Sequence, residues 1–160
     1  MRYYLGIDPG ISGAIAVLDE NEDIVQIFDM PTLEVVSGKS KKQRVNPQSI
    51  VSELRLFKDQ RIEALIEQVN AMPNQGVTSM FSFGRSLGIL EGVLAGLDIP
   101  YSLVTPSVWK KRMQVNSSKD GARELAMRTW SSKSELFKRK KDDGRAEAAL
   151  MALYLIRERR

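Results

Sequence analysis

The sequence contains neither cysteine nor histidine. The absence of cysteine excludes a disulfide scaffold, a thiolate zinc site and a cysteine nucleophile. Since histidine is also absent, acid–base or metal chemistry would have to come from carboxylates, lysines, tyrosines or bound water. The chain also lacks a run of eighteen apolar residues and a signal-peptide pattern at its start. These absences predict a cytoplasmic protein with no membrane partner.

What is present is ordinary for a globular protein: 42% hydrophobic and 28% charged residues in a chain of 160 residues, consistent with a single domain. The net charge of +4 is unevenly distributed. Residues 108–145 contain twelve Lys or Arg against five acids, a local charge of +7. Such a concentration indicates a polyanionic partner, the alternative being a solvated basic surface.

A strand buried on both faces is predicted at the start of the chain, where a nearly continuous apolar run ends in Asp8. Pro9 and Gly10 then force a turn, and Gly13 allows the chain to return as a second strand over 14–18. A carboxylate at such a position is costly to bury unless it is paired or holds a metal. Asp8 therefore either accepts N–H groups of its own turn or serves as a ligand.

The following segments predict a third strand over 24–30, which completes an antiparallel meander, and a mobile basic loop or hairpin tip within 32–45. The basic residues of that segment contribute either to solubility or to phosphate contacts. They are Lys39, Lys41, Lys42 and Arg44.

Asn46 is an N-cap candidate, and the proline after it begins a helix predicted over 47–57. An apolar strand is predicted over 62–69, with Glu67 near its end. The first strand ends in an acid, Asp8, in the same way. In open sheets, sites form at the carboxyl ends of parallel strands. We therefore expect Asp8 and Glu67 to lie together.

A long helix over 77–97 carries a glycine at every fourth position. Each internal glycine costs roughly 1 kcal/mol relative to alanine, so this row indicates close approach of another backbone. The approaching element is either the sheet or the same helix of a second subunit. The glycines are Gly84, Gly88, Gly92 and Gly96.

The C-terminal half predicts one more strand and three helices separated by loops. These are a strand over 101–104, a short basic helix over 108–112, a helix capped by Ser117 and Ser118, a basic loop over 131–141, and a last helix from about 142 to 156.

Asp143 and Glu147 lie about 40° apart around this last helix, and Leu150 falls between them, so they share its apolar face. Like charges at this spacing repel each other, and a bound cation removes the conflict. Alternatively, Asp142 or Asp143 caps the helix, which leaves Glu147 unexplained. Together with Asp8 and Glu67 these acids form an oxygen-only set suited to Mg²⁺ or Mn²⁺. Two such ions can activate water and stabilise the leaving oxygen in phosphodiester hydrolysis.

Segments 6–13, 66–69 and 143–148 resemble, in order and spacing, the three acidic motifs of RuvC-type Holliday junction resolvases, particularly bacteriophage versions, in the ribonuclease H-like superfamily. The resemblance implies an α/β fold in which a five-stranded mixed sheet, three antiparallel strands then two parallel ones, has helices on both faces. It further implies one RuvC-like nuclease domain over 1–160, a homodimer, and location in the bacterial host cytoplasm if the protein is phage-encoded.

The resemblance also implies roles for individual residues. Asp8, Glu67, Asp143 and Glu147 would be catalytic ligands of two Mg²⁺ or Mn²⁺ ions, with Lys110 and Lys119 beside the scissile phosphate. The predicted nucleic-acid contacts are Lys39, Lys41, Lys42, Arg44, Asn70, Lys110, Lys111, Arg112, Lys119, Lys138, Arg139, Lys140, Lys141 and Arg145.

The chain departs from the family pattern in three respects. The last two ligands are four residues apart instead of three, and the second is the longer Glu147, so either Asp142 or Asp143 could be the ligand. Asn70 stands where the family places an aromatic residue that stacks at the junction centre, which suggests a broader choice of flaps, forks and other branches.

The predicted function is a metal-dependent endonuclease that resolves Holliday junctions, and other branched DNA, by paired phosphodiester hydrolysis near the crossover. Two alternative functions are compatible with the same residues: a ribonuclease H-like nuclease acting on RNA or an RNA–DNA hybrid, and a non-catalytic junction-binding protein. The chain is too short for the duplicated domains of a sugar-kinase or actin-like nucleotide binder.

Overall fold

A computed structural model describes all 160 residues of the chain. The strands are β1 (Arg2–Asp8), β2 (Ala14–Asp19), β3 (Ile24–Asp29), β4 (Thr32–Ser37), β5 (Ser40–Val45), β6 (Arg61–Glu67) and β7 (Tyr101–Val104). The helices are α1 (Pro47–Leu54), α2 (Val77–Gly96), α3 (Pro106–Arg112), α4 (Gly121–Thr129) and α5 (Asp143–Glu158). Short 3-10 helices cover Arg55–Phe57, Ser131–Phe137 and Lys140–Asp142.

The main sheet has five strands in the order β3-β2-β1-β6-β7. The first three strands form an antiparallel meander, and β6 and β7 add to it in parallel with β1. Tight turns connect antiparallel neighbours, whereas each parallel strand returns through a segment that contains a helix, α1 before β6 and α2 before β7. The predicted α/β fold with a mixed five-stranded sheet is confirmed.

Two hydrophobic cores lie on opposite faces of this sheet. Leu5 and Ile7 of β1 belong to the core that includes α1 and α2, whereas Tyr4 points to the core built with α5. Gly6 faces α5 as well, and a Cβ there would overlap the carbonyl oxygen of Ala148 and lie 2.6 Å from the backbone nitrogen of Ala152. The missing side chain therefore allows α5 to lie directly on the centre of the sheet.

The segment 32–45 is a regular hairpin, which confirms the second of its two predicted forms. Strands β4 and β5 pair only with each other and form a second, two-stranded sheet. No side chain from Thr32 to Gln43 is buried, so the hairpin projects from the domain. The predicted start of α1 is confirmed, since the Asn46 side chain accepts a hydrogen bond from the backbone N–H of Ser49.

Two expectations for the C-terminal half are wrong. Ser117 and Ser118 do not cap α4, which begins only at Gly121, because the backbone N–H of Ser118 instead donates to the Asn116 side chain and forms a separate turn. The segment 131–141 is not a loop, because 3-10 helices occupy most of it and Phe137 is completely buried. The segment is connected to the rest of the chain by the buried Phe137 and by hydrogen bonds of Arg123 to the Phe137 and Lys138 carbonyls.

The glycine row of α2 faces away from the sheet. Nothing lies within 4 Å of a Cβ built at Gly84, Gly88, Gly92 or Gly96, so close approach to the sheet is excluded. The buried face of the helix is formed by Ser86, Leu90, Val93 and Leu94. None of the helices combines the length and the apolarity needed to cross a membrane.

Candidate metal centre and nucleic-acid interface

Three carboxylates from different elements meet at the carboxyl ends of β1 and β6. Asp8 and Glu67 are the last residues of these two strands, which are parallel neighbours, so their ends lie at the same edge of the sheet. Glu147 comes from the second turn of α5, which rests on β1 through Gly6. One oxygen from each of Asp8, Glu67 and Glu147 lies within 4.8 Å of the others. The fold thus creates a compact three-carboxylate cluster, which we call the acidic centre.

The electrostatics of the acidic centre favour a cation. Burial raises the pKa of Asp8 well above its usual value, and the charges of Glu147 and Glu67 raise it further. Burial is also the main cause of the raised pKa of Glu67 and of Glu147. Like charges at this separation oppose ionisation unless a cation lies between them. An all-oxygen donor set of this kind fits Mg²⁺ or Mn²⁺.

The structure distinguishes the two adjacent aspartates at the start of α5. Asp142 is only 1% exposed and accepts hydrogen bonds from the backbone and guanidinium of Arg139. Burial alone would raise the pKa of Asp142, but the hydrogen bonds and charge of Arg139 outweigh it and lower the pKa. Asp142 therefore stabilises the turn that leads into α5.

Asp143 is partly buried and faces the acidic centre, although it lies outside the tight trio. Burial raises its pKa, and its charge contributes to the raised pKa of Asp8, Glu67 and Glu147. No hydrogen-bond donor within the chain occupies its carboxylate. Of the two aspartates, Asp143 is the one available to a ligand.

Two consecutive residues of α3 contact the acidic centre. The Trp109 indole N–H donates to Oε2 of Glu67 at 2.7 Å, and the Lys110 ammonium donates to Oε1 of Glu147 at 3.0 Å. Burial lowers the pKa of Lys110, but the charge and hydrogen bond of Glu147 outweigh this effect and raise it. Trp109 is not among the residues predicted from the sequence. The available signal was its place next to Lys110 in α3, the helix that follows β7, which pairs with the strand that ends in Glu67.

Clefts open on both sides of the acidic centre, and Asp143 contributes to each. The first, about 590 Å³, is lined by the turn 8–13, Phe83, Lys140, Lys141, Asp143 and Gly144. The second, about 480 Å³, is lined by Lys110, residues 115–119, Ala122, Asp143 and Glu147. The structure thus places four of the predicted lysines, Lys110, Lys119, Lys140 and Lys141, beside the carboxylates.

Several other predicted contact residues are engaged within the chain. Arg145 makes a bidentate ion pair with Asp29, at 2.7 and 3.0 Å. Arg139 pairs with Asp142, Lys138 with Glu135 at 2.6 Å, and Arg112 with Glu158 at 3.1 Å. A phosphate would have to compete with these acids, as it would with Glu147 for Lys110. These side chains are therefore less available to nucleic acid than Lys119, Lys140 and Lys141, which form no ion pair.

The remaining predicted contacts lie at the surface. Lys111 and Asn70 are exposed, the latter in the loop that follows β6. On the β4–β5 hairpin, Lys41 lies 3.8 Å from Glu34. The hairpin cations without an ion pair are Lys39, Lys42 and Arg44.

The fold is similar to that of solved RuvC structures from Thermus thermophilus. A structure described as T. thermophilus RuvC in complex with Holliday junction substrate matches with a TM-score of 0.61 and 14% identity, over 98% of this chain and 95% of that one. A second T. thermophilus RuvC structure matches with a TM-score of 0.55 and 16% identity, over 98% and 96%. No protein-family model and no curated protein matches the sequence. The likeness establishes the RuvC fold, which is ribonuclease H-like, over nearly the whole chain.

Proposed function

We propose that the protein is a metal-dependent endonuclease that cuts branched DNA, with four-way junctions as its principal substrate. The observation that carries this proposal is the acidic centre, in which Asp8, Glu67 and Glu147 converge between two lysine-lined clefts. The RuvC fold supports it, because one of the similar structures is described as RuvC in complex with Holliday junction substrate. A non-catalytic binding protein would have no need for three mutually repelling carboxylates that are buried or partly buried.

In the proposed mechanism, Asp8, Glu67, Asp143 and Glu147 would hold two Mg²⁺ or Mn²⁺ ions. Such a pair of ions activates water and stabilises the leaving oxygen during phosphodiester hydrolysis. Lys110 pairs with Glu147 in the substrate-free protein and is within reach of a phosphate that enters the cleft. Lys119 lines the same cleft, and the lysines of the opposite cleft, Lys140 and Lys141, hold the strand on the other side.

The experiment that tests this function is cleavage of a synthetic four-way junction in Mg²⁺ or Mn²⁺, beside a flap, a fork, a linear duplex and an RNA–DNA hybrid. We expect paired nicks near the crossover of the junction, no cleavage in EDTA, and little cleavage of the linear duplex. Preferential cleavage of the hybrid would instead identify a ribonuclease H-like nuclease of another specificity. Junction binding without cleavage in either metal would show that the protein is a non-catalytic junction-binding protein.

We further propose that the exposed face of α2 forms a homodimer. Val77 and Phe81 are 78% and 73% exposed, and they continue along the helix into Gly84 and Gly88 at helical spacing. An exposed apolar and glycine-lined stripe is unfavourable in a monomer, whereas two copies related by a two-fold axis would bury it by close helix contact. Such a dimer would provide two acidic centres for paired nicks.

Replacing Gly88 with leucine is expected to convert the dimer to a monomer and paired cutting to unlinked single nicks. A Cβ at the exposed Gly88 meets nothing within 4 Å in the monomer, so folding should be unaffected. Light scattering after size exclusion measures the change in mass. Glu124→Leu, an exposed apolar substitution on α4, is the matched control and should remain dimeric. A dimeric Gly88→Leu protein would show that another surface is used.

The β4–β5 hairpin is proposed to bind a duplex arm of the substrate. Its base adjoins the turn after Asp8, because Met30 N–H donates to the Gly13 carbonyl at 2.9 Å. Six-residue strands extend about 20 Å, or about six base pairs of DNA. Strand alternation places Lys42 and Arg44 on the same hairpin face. A two-stranded ribbon of this kind is marginally stable alone, and contact with a phosphate backbone would stabilise it.

The double variant Lys42→Gln, Arg44→Gln is expected to weaken junction binding and to lower the slope of log K against log salt by about 1.8, since each lost phosphate contact contributes about 0.9. Cleavage at saturating protein should be unchanged, because neither side chain lines the clefts. The control Arg55→Gln, Lys58→Gln removes two exposed cations at the opposite edge of the sheet. Equal salt slopes for the two double variants would argue against the hairpin contact.

A further inference from the structure

Trp109 is a completely buried side chain, 0% exposed, whose only polar atom is directed at the acidic centre. Its indole N–H donates to Oε2 of Glu67 at 2.7 Å, and no other donor within the chain bonds to that carboxylate. A buried N–H without a partner would be destabilising. The bond therefore constrains both the tryptophan and the glutamate.

The position of Trp109 follows from the pairing of β6 and β7. Glu67 lies opposite Val104 in the parallel register, and the Gln68 N–H donates to the Val104 carbonyl at 2.7 Å. Helix α3 begins at Pro106, just beyond the end of that strand. Trp109, the fourth residue of the helix, therefore lies within hydrogen-bonding distance of Glu67. The position of the indole is thus set by the backbone pairing of the sheet.

The chemistry of the indole suits this location. It is a donor without an acceptor and carries no charge. The hydrogen bond from Trp109 lowers the pKa of Glu67 and so partly opposes the effect of burial. An arginine or lysine in the same place would also hold the carboxylate, but its positive charge would compete with a divalent cation. Tryptophan holds Glu67 through a neutral donor and adds no positive charge of its own at this carboxylate.

We infer that Trp109 is a positioning residue, which fixes the orientation of the Glu67 carboxylate so that its remaining oxygen is presented to a divalent cation. The inference rests on the proposed function, in which Glu67 is a metal ligand. It extends the role of α3, since the adjacent Lys110 also contacts a carboxylate of the acidic centre, although through a charged ion pair with Glu147. One short helix thereby sets the separation of two carboxylates that come from different elements.

The test is a calorimetric titration of the folded protein with Mn²⁺ in the absence of DNA. Loss of a hydrogen-bonding partner of a metal ligand typically weakens metal binding about 10- to 100-fold, and we expect this loss for Trp109→Phe. Trp130→Phe is a matched control, because Trp130 is also buried and its indole donates to the Glu22 carbonyl at 2.8 Å, remote from the acidic centre. It should change the Mn²⁺ affinity less than twofold.

A second variant separates the lost hydrogen bond from the lost ring volume. In the Trp130→Phe background Trp109 is the only tryptophan, so it can be replaced by benzothienylalanine, which has a similar shape and a sulfur in place of the N–H. The same weakening of Mn²⁺ binding is expected. If Glu67→Gln loses Mn²⁺ binding but both Trp109 variants bind Mn²⁺ as tightly as the wild-type protein, the inference about Trp109 is wrong and the metal centre stands. Absence of Mn²⁺ binding by the wild-type protein would overturn the metal centre and the inference with it.

Discussion

Replacing Glu67 with glutamine is expected to abolish strand cleavage while the protein stays folded and continues to bind junctions. The glutamine side chain has nearly the same volume, and its amide oxygen can still accept the Trp109 N–H. What it loses is the negative charge that a divalent cation needs. The loss in single-turnover nicking should exceed the roughly 100-fold that removal of an outer partner of a metal site can cost.

The same variant has an expected effect on stability that a general folding defect would not produce. In the metal-free protein, Glu67 is buried beside two other carboxylates, and all three have raised pKa values. Removing one of these charges relieves repulsion, so Glu67→Gln should melt in EDTA at the wild-type temperature or above it. Mn²⁺ should raise the melting temperature of the wild-type protein but not that of the variant.

Asp142→Asn is the matched control for these measurements. Asp142 is also a buried acid, but its carboxylate is already ion-paired with the Arg139 guanidinium. Its replacement should destabilise the fold by about 1–3 kcal/mol, because charged hydrogen bonds of the turn are lost. Cleavage per folded molecule should be retained. Loss of cleavage in Asp142→Asn, with full activity in Asp143→Asn, would reverse the assignment of the two aspartates.

Gly6→Ala is expected to be strongly destabilising for the addition of a single methyl group. The new Cβ would overlap the Ala148 carbonyl and approach the Ala152 backbone nitrogen to 2.6 Å, and backbone atoms cannot rotate away as a side chain does. Overpacking a core usually costs about 1–3 kcal/mol, and contact with a helix backbone places this variant at or above the upper end. Urea unfolding measures the cost.

The functional consequence of Gly6→Ala should accompany the structural one. Relief of the clash requires α5 to move away from β1, and α5 carries Glu147, so the acidic centre should widen and bind Mn²⁺ more weakly in the molecules that remain folded. The control is Gly96→Ala at the end of α2, where a Cβ meets nothing within 4 Å. Stability of Gly6→Ala comparable to that of the control would mean that α5 does not lie this close to the sheet.

The sequence alone predicted the antiparallel meander and the two strand-end acids, whereas the parallel strands of the mixed sheet were implied by the resemblance to RuvC-type resolvases. Apolar runs that end in Asp8 and Glu67 indicated that these carboxylates lie together at one edge of the sheet, and the structure has this arrangement. Asn46 predicted the start of α1 correctly. These features were predictable because they depend on local properties: strand periodicity, the capping preference of one side chain, and the cost of burying a charge without a partner.

Only the tertiary structure decided which side chains face one another. Asp142 and Asp143 are adjacent carboxylates that local sequence does not distinguish, yet Arg139 holds one, and the other faces the acidic centre. The outward direction of the α2 glycines depends on which face of the helix covers the sheet. The contact of Trp109 with Glu67 spans 42 residues of sequence and exists because β6 and β7 pair in a particular register. Such contacts arise from the packing of distant elements, which no short stretch of sequence encodes.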